Sequence, residues 1–164
     1  MNVYQVLVER LASELTSRNA YIATAESCTG GWIAKVLTDM PGSSTWFEYG
    51  FVSYGNNAKA TMLNVDSALI EEHGAVSSAV AEAMVIGALE ASGAQLALAV
   101  TGIAGPEGGT PDKPIGTVWF AFAAAGKGVV SACQHFEGDR DTVRRQAVST
   151  ALSGVLKYLE KSGG

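Results

Sequence analysis

Four short stretches of this chain combine residue types that can do chemistry. The first is Ala25-Glu26-Ser27-Cys28-Thr29-Gly30-Gly31, placed where a short β-rich run passes into a helical one. Free N–H groups at such a turn, with glycines that let a ligand approach the backbone, can hold a phosphate or an oxyanion. The same residues serve equally well as helix caps and turn formers. Cys28 is a nucleophile on paper, but without an identified base it reads better as a small apolar side chain. The second is Tyr54 with Lys59, at a strand end and the start of a short helix. A lysine near a helix start is ordinarily solvated, whereas one enclosed in a pocket loses its proton more readily and can then activate a serine. The third is Gly138-Asp139-Arg140-Asp141-Thr142-Val143-Arg144-Arg145, which holds three of the five arginines. Arg140 and Arg144, one helical turn apart, can clamp a phosphate or carboxylate, or simply lace a solvated face with ion pairs. The fourth, Thr101-Gly102-Ile103-Ala104-Gly105-Pro106, leaves the end of an apolar strand, where open α/β sheets gather ligands.

Stock motifs are missing. Ser27 lacks the flanking glycines of a nucleophile elbow, Gly126-Lys127 is followed by Gly128 and so makes no P-loop, and His73 and His135 have no helical partners. The two cysteines, Cys28 and Cys133, lie far apart without zinc-ligand spacing, so a disulfide scaffold or structural zinc is disfavoured and a cytoplasmic location is expected. Eleven basic against 16 acidic residues give a net charge of −5, which removes an electrostatic basis for gripping nucleic acid. Glu9 and Arg10 interrupt the first apolar pattern, so neither a signal peptide nor a membrane span is expected.

These stretches need elements to carry them. The 164 residues, 48% hydrophobic and 16% charged, suit one domain over 1–164. Val3, Val6, Leu7, Leu11 and Leu15 mark an amphipathic first helix. Then come a strand at Tyr21–Ala25, a helix from Trp32, a break at Pro41-Gly42, a strand at Phe47–Tyr54, and a short helix that Asn56 or Asn57 can cap. An Ala-rich helix runs from Ser77 to Gly93, and Leu96–Val100 reads as a strand covered on both faces. The Gly102–Pro114 segment holds four glycines and three of the four prolines and reads as a loop with a mobile tip. Two strands joined by Ala-Gly-Lys-Gly form a late hairpin, and Asp139 or Asp141 caps a last helix. The pattern predicts an α/β fold, a three-layer α/β/α sandwich on a mixed, mostly parallel sheet with a late antiparallel hairpin.

Taken together, TAESCTGG (24–31), PGSSTWFEYGFVSYGNNAK (41–59), HGAVS (73–77), TGIAGPEGG (101–109), KPIGTVWFA (113–121) and GDRDTVRRQA (138–147) closely resemble the nicotinamide-nucleotide amidase family. This family corresponds to the C-terminal domain of the CinA competence/damage-inducible proteins. The resemblance runs over nearly the whole chain. It implies hydrolysis of nicotinamide mononucleotide to nicotinate mononucleotide and ammonia, a step in pyridine nucleotide recycling, with no metal and no cofactor. It places the catalytic serine on Ser27, the tyrosine on Tyr54 and the lysine on Lys59. Thr101 and Arg140 fall at positions linked to substrate binding and support. Beside these, the local chemistry makes the turn with Thr29, Gly30 and Gly31, or the Thr101–Gly102 loop, the candidate for holding the substrate's oxyanion, and Arg144 the candidate for facing the phosphate together with Arg140. The separate N-terminal domain of longer family members is not in this sequence, and no pyrophosphatase activity is inferred. The expected partner is a small nucleotide, with neither nucleic acid nor membrane; a homodimer is compatible with the sequence but not specified by it. The alternatives are a non-catalytic nucleotide-binding module, an interaction module of competence or DNA-damage responses, and a serine amidohydrolase of another small substrate.

Overall fold

The computed structural model describes residues 2–162. In chain order these form α1 (Val3–Ser17), β1 (Ile22–Glu26), α2 (Trp32–Thr38), a 3-10 turn (Ser43–Thr45), β2 (Phe47–Val52), α3 (Asn56–Leu63), α4 (Ser67–His73), α5 (Ser78–Ser92), β3 (Leu96–Gly102), β4 (Thr117–Ala124), β5 (Val130–His135) and α6 (Arg140–Ser162). The strands lie in the order β2-β1-β3-β4-β5. β1 runs parallel to both β2 and β3, while β4 is antiparallel to β3 and to β5, so β4 alone runs against the other four. Helices cover both faces. The expected three-layer α/β/α sandwich with a mixed sheet and a late hairpin is what forms.

Local chemistry explains most boundaries. Asn2 accepts from the Gln5 amide and Ser77 from the Val80 amide, capping α1 and α5. At the start of α6, Asp139 accepts from the Thr142 amide, so it and not Asp141 is the cap. Two details differ from the sequence pattern. Neither Asn56 nor Asn57 caps α3, which follows Gly55 without a side-chain cap, and α4 is an element that the sequence pattern does not predict. With seven residues of which Ile70 is the buried one, α4 carries too little apolar periodicity to be recognised, although Asp66 caps it through the Ala68 amide.

The two sheet faces are unlike. Ile22, Leu96, Leu98, Val100, Phe120 and Phe122 belong to the larger core with α1, α2 and α6. On the other face, register aligns Ala23, Ala97 and Ala123 in one cross-strand row and Ala25, Ala99 and Ala121 in the next. These six alanines make a low floor. Val80, Ala81, Met84, Val85 and Ala88 of α5 settle onto it. Gly87, two turns on from Val80 along the same buried stripe, lets α5 meet α3 backbone to backbone, because a Cβ there would stand 2.0 Å from the Leu63 carbonyl oxygen. Small residues thus bring α3 in close over the sheet, and α3 carries Lys59. The parallel strands β1, β2 and β3 all end on the same edge of the sheet, delivering Ser27, Tyr54 and Thr101 to one place.

Gly87→Ala therefore tests the stacking of α3 on α5. It is expected to cost about 3 kcal/mol in denaturant unfolding, as overpacking against fixed backbone does. An unchanged unfolding midpoint would mean that α3 does not lean on Gly87.

Candidate active site

Ser27 is the first residue beyond β1, and the strand it leaves fixes it. Its N–H donates to the Val100 carbonyl at 3.0 Å, and the Ser53 N–H donates to the Glu26 carbonyl at 2.9 Å, so β2 and β3 both hold this corner. The chain then folds back tightly: the Gly30 N–H donates to the Ser27 carbonyl at 3.0 Å. Gly30 (φ +60°) and Gly31 (φ +100°) occupy the left-handed region that their residue type makes cheap.

Glu26 sets the start of α2. Its carboxylate is 0% exposed and accepts from the Thr29 hydroxyl at 2.7 Å, the Ile33 N–H at 2.8 Å and the Ala34 N–H at 3.0 Å. A buried carboxylate satisfied three times at a helix N-terminus complements the helix dipole. The first amides of α2 are thereby occupied by the protein's own anion. Thr29 is tied to Glu26 and buried, and neither it nor Gly30 nor Gly31 lines the cavity described below. The expectation that this helix start holds a substrate anion is replaced by an internal carboxylate. The missed signal was an acidic residue ending an apolar strand seven residues before the amide it accepts from.

Above this turn the Lys59 side chain reaches down from α3. It is 1% exposed, with Nζ 3.0 Å from Ser27 Oγ and 2.8 Å from the Tyr54 carbonyl oxygen. The Ser27 hydroxyl can itself donate to the Tyr54 carbonyl, 3.2 Å away. No carboxylate forms an ion pair with Lys59 among the described residues. Burial pushes its pKa below the usual lysine value of 10.5. Burial pushes the Cys28 thiol up to about 12, so Cys28 stays protonated and packs into the core. Tyr54 contributes its main-chain carbonyl to this cluster. Its side chain is 55% exposed and the phenol oxygen accepts from Arg140 Nη2 at 3.2 Å, so the hydrogen bonds give no phenol relay between amine and alcohol.

A cavity of about 280 Å³ opens over the serine, lined also by Lys59, Tyr54, Thr101, Gly102 and Arg140. The Thr101 hydroxyl donates to the Ala75 carbonyl at 3.0 Å, fastening the 73–77 segment across the end of β3. Arg140 donates from Nη1 to the Gly105 carbonyl at 2.7 Å and stands at the mouth. Arg144 does not line the cavity: it turns behind the serine turn, donating to the Cys28 and Thr29 carbonyls. The two arginines thus serve different places instead of forming one clamp. Asn56, Val76 and Glu107 also line the cavity, brought there by loop closure that no local pattern announces. A roomier groove of about 590 Å³ between α1 and α2 contains neither Ser27 nor Lys59.

The family model described as the CinA C-terminal domain matches residues 4–159. The chain belongs to that family. Within it, the chain is 54% identical over 146 residues to the Escherichia coli K12 protein named nicotinamide-nucleotide amidohydrolase PncC, covering 89% of this chain and 88% of that one. The Pseudomonas putida protein of the same name is 52% identical over 157 residues, covering 96% and 98%. Among solved structures, the competence damage-inducible protein A (ComA) of Klebsiella pneumoniae superposes with a TM-score of 0.94 at 37% identity, covering 98% of this chain and 99% of that one. The CinA C-terminal domain also occurs in longer relatives, such as a CinA-like protein of Citrifermentans bemidjiense, of which this chain covers 36% at 52% identity. No helix among the described residues is long and apolar enough to cross a membrane.

Two outcomes follow from the packing of the turn. Glu26→Gln should destabilise the fold by about 2–3 kcal/mol, because the amide nitrogen faces a backbone N–H that needs an acceptor; a change below about 0.5 kcal/mol would remove Glu26 as the anchor of α2. In the native protein at pH 8, Cys28 should resist iodoacetamide until denaturant is added, as read by peptide mapping, whereas rapid native labelling would contradict a buried, protonated thiol.

Proposed function

We propose that the chain is a nicotinamide-nucleotide amidohydrolase that releases ammonia from nicotinamide mononucleotide, with Ser27 as nucleophile and Lys59 as its base. The observation that carries this reading is the 3.0 Å approach of a buried, uncompensated amine to the Ser27 hydroxyl. The names of the relatives supply the substrate.

In the neutral state Lys59 keeps one N–H on the Tyr54 carbonyl and turns its lone pair to Ser27 Oγ. The proton passes to Nζ as Oγ attacks the carboxamide carbon, and the carbonyl oxygen becomes an oxyanion. Collapse of this intermediate breaks the C–N bond, and Lys59 returns the proton to the departing nitrogen, which leaves as ammonia. Water then attacks the acyl-enzyme, again giving a proton to Lys59, and releases nicotinate mononucleotide with Ser27 restored. Free backbone N–H groups of the serine turn are suited to the oxyanion. Arg140, with the Tyr54 phenol beside it, is placed at the mouth to meet the phosphate, a charge-assisted contact of the kind arginine makes well. Thr101 and Gly102 form the wall between these ends.

Ser27→Ala should abolish ammonia release while leaving substrate binding intact; full retained activity would remove the nucleophile. In the parent enzyme the rate should fall as pH drops through the lowered lysine pKa, since protonation removes the base, and Lys59→Met should erase that limb along with most activity. The same variant should raise the melting temperature at neutral pH. The unfolded lysine binds its proton up to 10.5 and the folded one does not, so parental stability rises with pH between the folded and unfolded values and is lowest below them. A Lys59→Met protein less stable than the parent at pH 7 would contradict a desolvated amine. An ammonia assay comparing the mononucleotide with its riboside and with free nicotinamide tests the phosphate end: equal rates would sink it.

A further inference from the structure

Arg144 reaches from α6 across to a turn more than a hundred residues earlier. Its Nε donates to the Cys28 carbonyl at 3.0 Å and its Nη2 to the Thr29 carbonyl at 3.2 Å. The guanidinium carbon also lies 5.4 Å from the centroid of the ring of Trp32, the first residue of α2, a cation–π contact that adds to the hydrogen bonds. These bonds have a specific consequence for the peptide units after the nucleophile. The unit joining Ser27 to Cys28 has its carbonyl bonded by the Gly30 N–H, and the unit joining Cys28 to Thr29 has its carbonyl bonded by Arg144. Their N–H groups belong to Cys28 and Thr29; neither donates to a backbone carbonyl among the described residues, and of the two residues only Cys28 lines the cavity. The Ser27–Cys28 unit therefore has a loaded carbonyl and a free donor at the cavity, and the Gly30 N–H that loads it belongs to the unit whose Thr29 carbonyl Arg144 bonds. Drawing electron density from a carbonyl strengthens the N–H of the same amide, and a cationic donor does so most.

We infer that Arg144 is a positioning residue for the hydrolysis: by bonding the Cys28 and Thr29 carbonyls it fixes the turn, and through the Thr29–Gly30 unit and its bond to the Ser27 carbonyl it orients and polarises the Cys28 N–H that holds the oxyanion formed at Ser27. This rests on the serine hydrolase reading above. Arg144 does not touch the substrate. Its neighbour one turn earlier, Arg140, faces the cavity, and the pair divides the work between ligand and backbone.

The test compares Arg144→Gln and Arg144→Lys with the parent by steady-state kinetics on nicotinamide mononucleotide and by labelling of Ser27 with a fluorophosphonate. In the labelling reaction Ser27 Oγ bonds to phosphorus, fluoride departs, the serine proton goes to Lys59, and the phosphoryl oxygen draws on the same N–H donor. Arg144→Gln is expected to lower kcat about 30- to 100-fold with KM within twofold, and to slow labelling by a similar factor; removal of a whole oxyanion donor costs about 100- to 1,000-fold. Arg144→Lys keeps a cation and one donor and should recover part of both rates. If Arg144→Gln does not fold by thermal melting, Arg144→Lys carries the test, with the same split at smaller size. A rise in KM at unchanged kcat, or labelling as fast as in the parent, overturns the inference. Because labelling requires no particular substrate, a parent that labels at Ser27 but does not turn over the mononucleotide would defeat the substrate reading and leave Arg144 to be judged on labelling alone.

Discussion

The molecule is organised around an amine that must be buried without a counter-charge. A lysine beside a carboxylate would hold its proton; Lys59 instead meets the Tyr54 carbonyl and a serine hydroxyl, two neutral oxygens. Neutral acceptors satisfy its hydrogen-bonding capacity while leaving the desolvation of its charge unrelieved. Glu26, the acid next to Ser27 in sequence, is kept out of this arrangement by being fully engaged with the start of α2. One carboxylate stabilises a helix, and no other among the described residues pairs with Lys59 to relieve the desolvation of its amine.

That arrangement depends on packing some distance away. Two rows of alanine on one sheet face allow α5 to lie low, and Gly87 allows α3 to approach α5 at backbone distance. Lys59 projects from α3, so the depth of its amine over Ser27 is set by residues chosen for smallness, none of which touches the cavity. The opposite face is filled by large side chains, which anchor α1, α2 and α6 more conventionally. The serine turn is held between the faces: Glu26 fixes it from within the larger core, Arg144 from behind, and the ends of β2 and β3 from the sides.

How far the sequence discloses this depends on whether the relevant signal is local. Helices with long apolar stripes, the buried LALAV strand and the late hairpin announce themselves within windows of a dozen residues, and the layer architecture follows from their order. α4 does not, because one buried isoleucine gives no period. Ser27, Tyr54 and Lys59 can each be singled out by type and by resemblance to a family, yet nothing local indicates that Tyr54 meets the lysine through its carbonyl rather than its phenol. That depends on the path of the chain between β2 and α3, which turns the ring outward to Arg140. Glu26 was legible in principle, since a carboxylate closing an apolar strand before a glycine turn must find donors, and the amides of the following helix are the nearest available.

The two arginines show why spacing alone misassigns roles. One turn apart at the start of α6, Arg140 and Arg144 look like a single clamp, and the count of positive charges invites that reading. Their helix starts at the rim of the cavity, however, and one turn further along it has already passed behind the serine turn. Arg140 finds the Gly105 carbonyl and the Tyr54 phenol at the open side, and Arg144 finds two carbonyls and an indole face at the closed side. A displacement of one helical turn, about 5.4 Å, is as long as the step from the mouth of the cavity to the back of the turn that carries Ser27. At a site this small, the partners of a residue are therefore decided by which side of a single turn of chain it reaches, and neighbouring residues of one type can divide between lining a cavity and bracing the backbone beneath it.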